Sequence, residues 1–244
     1  MLYFCTMKYI AALFFILFFT IPAQAEHTLQ LGYIGAPLSY ASLSVLKAAY
    51  AKIGYTVIAN KAPGERSLTD SNAGLNDGEV HRIKSIASQY PKLIRVEVPI
   101  NYVEGMLISC NTSYTIESLA DLIPYRVVVR IGNKYATKLT KNLPYVIKTP
   151  DTEKMVTLLM EGRADMILSD RPWAMSQQMR PGKECLIINE PPLVTIPLYH
   201  YLHQKNAAIV PKITQILQSM HDNGESETIR QKALEKRLQT DIQQ

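Results

Sequence analysis

Leu29-Gln30-Leu31-Gly32-Tyr33-Ile34 is an apolar run short enough for a buried strand, and the residues after it decide the fold. A loop through Gly35, Pro37 and Tyr40 leads to Leu43, Leu46, Tyr50 and Ile53, which recur on one helical face. Ser42 is placed to cap that helix and Gly54 to end it. Tyr55-Thr56-Val57-Ile58-Ala59 is the next strand, and Pro63-Gly64 reads as the turn that closes it. Strand, helix and strand in that order predict parallel pairing in an α/β layer structure.

Further units lie downstream. Ser118 caps a helical turn with Asp121 three residues on, a spacing that satisfies two amide groups reciprocally. Arg126-Val127-Val128-Val129-Arg130-Ile131 is β-branched and stops at Gly132. Met155 to Met160 forms a helix ending at Gly162, and Ala164-Asp165-Met166-Ile167-Leu168 a strand running into Ser169-Asp170. Leu186-Ile187-Ile188 is a strand that Pro191-Pro192 breaks, and Leu198-Tyr199-His200-Tyr201-Leu202 is another. A helix marked by Ile213, Ile216, Leu217 and Met220 takes Pro211 in its first turn. Gly224 separates it from a polar terminal helix.

Upstream, Lys8 precedes an apolar run from Tyr9 to Ile21, and Pro22-Ala23-Gln24-Ala25 supplies small residues three and one before a cut. Residues 1–25 therefore read as a secretory signal peptide cleaved after Ala25, and Met7-Lys8 makes a better start for one than Met1. The run is shorter than the ~20 apolar residues that span a bilayer. Cleavage leaves 219 of the 244 residues, with hydrophobic residues at 47% and charged at 19% of the whole chain, which suits a packed globule. The formal charge of +5 is spread without a Lys/Arg block, which argues against nucleic acid as a partner. Cys110 and Cys185 remain after cleavage, and an even pair in an oxidising compartment suggests a disulfide, two separate buried thiols being the alternative.

Four segments together resemble the bacterial extracellular solute-binding proteins of the amino-acid type. They are Leu29-Gln-Leu-Gly-Tyr, Ser118-Leu-Ala-Asp-Leu with the strand after it, Leu159-Met-Glu-Gly-Arg-Ala-Asp-Met-Ile-Leu-Ser-Asp, and Pro197-Leu-Tyr-His-Tyr. The resemblance implies the two-lobed type 2 periplasmic-binding fold, each lobe a mostly parallel sheet flanked by helices. Lobe 1 would hold residues 26–108 and 192–244, and lobe 2 residues 109–191, with crossings near Ser109 and Pro191. It further implies a soluble, monomeric periplasmic protein that closes on a small anionic or zwitterionic ligand, serves an ABC-transporter permease and needs no cofactor. A periplasmic protein presenting its closed form to a sensor kinase, and a periplasmic enzyme on the same scaffold, are the alternatives. One departure stands out. The family's usual Thr-x-x-Arg, whose arginine grips a ligand carboxylate, is replaced by His81-Arg82-Ile83-Lys84, so the resemblance carries the clamshell without an amino-acid specificity.

In such a clamshell, ligands bind where the carboxyl ends of parallel strands meet. Arg82 follows a strand end and can hold a carboxylate bidentately, or lies on the surface of the next helix. Arg130 ends a second-lobe strand, and Gly132-Asn133 opens a helix whose amide groups suit an anion. Asp170 falls where the resemblance implies an acidic group for the ligand's amine, whereas Asp165 reads as a solvent-facing strand entry. Tyr33 and Tyr40 flank the first strand-to-helix loop, Tyr102 precedes the first crossing, and Trp173 comes shortly after Asp170. Each can stack on a ligand or pack the protein. Glu65-Arg66 either reaches the cleft or forms a surface ion pair. His200 and His203 point oppositely on a strand, so no metal site is expected. No Gly-x-Ser-x-Gly elbow or recognised Cys-His motif marks a catalytic centre.

Overall fold

A computed structural model describes residues 27–242, so the expected signal peptide and its cleavage site lie outside the described residues. The opening unit is β1 (His27–Tyr33), α1 (Pro37–Ala51) and β2 (Tyr55–Lys61), with β1 and β2 parallel in continuous register from His27↔Tyr55 to Tyr33↔Lys61. The helix begins five residues before the expected cap. Pro37 carries no N–H and has a preset φ, so it opens the helix after Ala36, and Ser42 is turned into the interior instead. Gly54 sits just past the helix at φ +80°, a left-handed turn that lets the chain double back into β2. Pro63-Gly64 does not make an isolated turn either: Pro63 leads directly into α2 (Gly64–Asn72).

β3 (Gly78–Ile83) lies parallel to β1, and β4 (Leu93–Cys110) comes next. The other half contains β5 (Val127–Arg130), α3 (Lys134–Leu139), β6 (Val146–Thr149), α4 (Thr152–Met160), β7 (Met166–Asp170) and α5 (Arg171–Gln178). β8 (Leu186–His203) returns to the first half and leads to α6 (Val210–Asp222) and α7 (Glu225–Ile242). Pro211 falls in the first turn of α6, and Ser118 with Asp121 forms the reciprocal cap ahead of a 3₁₀ turn at Leu119–Leu122, both as the spacing predicts. The eight strands among the described residues form one sheet in the order β2-β1-β3-β8-β4-β7-β5-β6. Pairing is parallel within each outer half (β1 with β2 and β3, β5 with β6 and β7), while the central pair is antiparallel to its neighbours.

β4 and β8 are 18 residues each and pair along nearly their whole length. They form a ribbon that carries the chain from one half to the other and back. Pro191-Pro192 does not end the strand but interrupts its ladder. β8 advances from Asn189 to Val194 while β4 moves only from Leu107 to Gly105, and a residue without an N–H is tolerated at such a bulge. Ser109 and Pro191, the expected crossings, lie inside these strands. The change of sheet partner falls at Asn101–Gly105 on β4 and Val194–Leu198 on β8. Cys110 and Cys185 are joined in a disulfide at the far end of the ribbon, with Cα atoms 4.8 Å apart.

Alternation along the ribbon divides the interior into two faces. Val96, Val98 and Ile100 pack with α1 and α6, and Met106 and Ile108 with α4 and α5. On the opposite face Leu107 joins Val127, Val129, Met166, Leu168 and Ala136 of α3, while Tyr201 packs with Leu68 of α2. The α2/α3 face is the front of the molecule and the α1/α5 face its rear.

Candidate functional site: the front cleft

Register alone brings two strand ends toward one place. β3 finishes with Ile83 opposite Leu198, and Leu198 lies opposite Asn101. β7 runs the other way and finishes with Asp170 opposite Gly105. From Asn101 to Gly105 is four residues, about 13 Å along an extended strand. The carboxyl ends of β3 and β7 therefore face each other across a short stretch of ribbon, where open parallel sheets bind ligands.

On the first side of this cleft, Arg82 belongs to β3 itself and not to a following helix. Its Nε donates to Glu79 Oε2 at 2.8 Å and its Nη2 to the Gly64 carbonyl at 3.3 Å. Glu79 is completely buried, and its other oxygen accepts from Ser67 at 2.7 Å and Ser71 at 2.5 Å, both on α2. Charge balance and full hydrogen bonding make that burial tolerable. The pair holds α2 to β3 and leaves Arg82 Nη1 without a hydrogen bond among the described residues, 3.6 Å from where a side chain on Gly64 would begin. Next to it, Tyr90 donates to Glu65 at 2.5 Å, which raises the Tyr90 hydroxyl's pKa.

The opposite side carries Asp170, which ends β7 and caps α5 by accepting from the Trp173 amide at 3.0 Å. Burial raises the Asp170 pKa, opposed by that amide and by the Arg130 charge. Tyr135, on the first turn of α3, has its hydroxyl buried beside Asn133 and without an acceptor for its proton among the described residues. Burial and the Asp170 charge both push that hydroxyl's pKa up. Gly105 makes room for the ring, since a Cβ there would lie 3.2 Å from Tyr135 Cε2. Sequence spacing does not single out Tyr135, because nothing in it distinguishes this residue from the other tyrosines.

The other candidate residues are spread over both faces. Arg130 is exposed at the end of β5, with its charge felt by Asp170. Asn133 caps α3 by accepting from the Ala136 amide at 3.2 Å, which occupies a donor that an anion would need. Arg66 is 78% exposed and pairs with Asp70 at 3.7 Å on α2. The aromatic residues go to the rear. Tyr33 packs against the core under α1, meets Tyr40 edge-on at 5.8 Å, and has its pKa raised mainly by the hydrogen bond that its hydroxyl donates to the Tyr40 hydroxyl. Tyr40 lies under Arg237 at 4.6 Å and Tyr102 under Arg230 at 5.3 Å. Trp173 packs on the core of the second half. Asp165 holds Arg126 with both oxygens, at 2.7 and 3.0 Å. His200 bonds Tyr50 and the Glu79 carbonyl, whereas His203 lies against Gly74. Among the described residues no group of three His, Cys, Asp or Glu is placed to hold a metal ion.

The chain matches no family model and no curated protein. Its fold does match solved structures. The GluR0 ligand-binding core in complex with L-glutamate superposes with a TM-score of 0.69 at 16% identity, covering 86% of this chain and 99% of that one. The L-cystine solute receptor of Neisseria gonorrhoeae, unliganded and open, gives 0.67 at 17% identity, covering 86% and 94%. A histidine kinase sensor domain similar to periplasmic binding proteins gives 0.61 at 15%, covering 86% and 96%. The architecture is thus the two-lobed type 2 periplasmic-binding fold.

Proposed function

We propose that this is a periplasmic solute-binding protein without catalytic activity, which closes its front cleft on a small zwitterionic or anionic ligand and passes it to an ABC-transporter permease. The observation that carries this reading is the convergence of Arg82 and Asp170 from opposite halves on one stretch of ribbon. Arg82 Nη1 is available to a ligand carboxylate, and the Asp170 oxygen not used as a cap is available to an amine. The Tyr135 hydroxyl, buried beside Asp170, is a third contact waiting for an acceptor. The expected lobes, residues 26–108 with 192–244 and 109–191, are proposed with their division moved to Asn101–Gly105 on β4 and Val194–Leu198 on β8. They close by bending the ribbon where its partners change.

Thermal unfolding against amino acids, organic acids and amines, with native mass spectrometry of freshly purified protein, tests the reading. At 100 times Kd a ligand that binds only the folded state adds about 2.7 kcal/mol, roughly 5–10 °C for a chain of this size. Loss of the shift in Arg82→Ala and Asp170→Ala is expected. A ligand that binds both variants as it binds the unaltered protein would place the site elsewhere. A flat panel with nothing co-purified would favour a protein partner. The likeness to a histidine kinase sensor domain supports a second reading, in which the closed form is presented to a membrane kinase. The neighbouring genes, permease or kinase, discriminate the two.

A further inference from the structure

Behind the ribbon, on the face away from Asp170 and Arg82, lies a second cavity of about 660 Å³, within the range of small-molecule sites. One wall is α1 and α7 of the first half, the other is α5 of the second, and Tyr102 and Glu104 of β4 form the floor. Leu38, Met175, Leu234 and Leu238 give it an apolar lining. Both of its cations are already committed. Arg171 donates to Glu104 at 2.7 Å and to Glu190 at 2.5 Å. Arg230 pairs with Glu227, reaches the Ile100 carbonyl at 3.4 Å and covers the Tyr102 ring. Glu235 at the rim is a lining carboxylate with no hydrogen bond or ion pair among the described residues. Counting lining residues, three carboxylates (Glu104, Glu227, Glu235) face two guanidinium groups, so the cavity is one negative charge in excess.

We infer that this rear cavity is a separate binding site for a small amphipathic amine, its apolar body among Leu38, Met175, Leu234 and Leu238 and its ammonium group at Glu235. An anion is disfavoured because neither guanidinium has a charge left unbalanced. An occupant touches helices from both halves, so its binding is linked to the angle between them.

Phenethylamine and its neutral counterpart 2-phenylethanol are suitable probes, titrated by calorimetry into the protein. The amine binds and the alcohol binds about tenfold more weakly or not at all, the effect of losing one charge-assisted hydrogen bond at a partly exposed site. Glu235→Gln, a change at an exposed side chain, weakens the amine by a similar factor. Met175→Trp fills the cavity and abolishes binding, while Asp170→Asn, on the front face, leaves it unchanged. Equal binding of amine and alcohol, unchanged amine affinity in Glu235→Gln, or no binding at about 10 mM amine overturns the inference. Loss of amine binding in Asp170→Asn assigns the probe to the front cleft and overturns it as well.

Discussion

The half built on β1–β3 and the half built on β5–β7 share a topology but are held together by different chemistry. The first buries ionisable groups. Glu79 with Arg82, His81 against Ser42 at 2.6 Å, and His200 between Tyr50 at 2.9 Å and the Glu79 carbonyl all lie beneath α1 and α2. The second buries mainly Val, Ile, Leu and Met, and locks the end of the ribbon with the Cys110–Cys185 disulfide. The first half should therefore respond to pH and the second to redox conditions, although both line the same cleft.

Acid should separate the two halves most strongly. Burial lowers the pKa of His81 to about 3 and of His200 to about 4, so both are neutral in the folded protein near pH 5. Their stabilisation is complete above the unfolded value of about 6.5 and is lost as pH falls toward the folded values. Each unit of pH in that window costs up to about 1.4 kcal/mol per histidine, on the order of 5 kcal/mol for the two together near pH 4.5. Unfolding in denaturant at pH 7 and 4.5 measures it. A His81→Gln/His200→Gln double variant that retains the wild-type pH slope would refute the assignment.

Reduction is the corresponding test for the second half. The bridge closes a loop of 75 residues, for which loop entropy predicts a loss of about 4–5 kcal/mol on reduction. Hydrogen exchange should rise first around β5–β7 and leave α1 protected. Glu79→Gln leaves Arg82 without its counter-charge in a buried site and should cost about 3–5 kcal/mol, read as a lower denaturant midpoint. Replacing Glu79 and Arg82 together by apolar residues should recover much of that loss. Asp170→Ala removes a helix cap and should cost only about 1 kcal/mol of stability, with its larger effect on ligand affinity. Arg66→Ala, at an exposed ion pair, should stay within about 0.5 kcal/mol and leave affinity unchanged.

Much of this is legible in the residues and some of it is not. The alternation and helical spacing of Leu29 to Ala59 carry the β1-α1-β2 unit, because parallel strands joined by a helix are a local consequence of local patterns. The Ser118 cap, the Pro211 helix start and the glycine stops at Gly162 and Gly224 are likewise written within a few residues of where they act. Asp170 at a strand end could be found the same way. The 18-residue strands β4 and β8 could not, since only pairing with each other carries them past Pro99 and Pro191-Pro192. Nor could the commitment of Arg82 to Glu79, which depends on a bulge in β3 and on two serines of α2. Tyr33, Tyr40, Tyr102 and Trp173 show the limit most plainly. Their places near strand ends could be read, but whether a side chain faces the front cleft or the rear cavity depends on strand register and helix packing. Those are set by partners far along the chain, and a one-residue change of register exchanges the two faces.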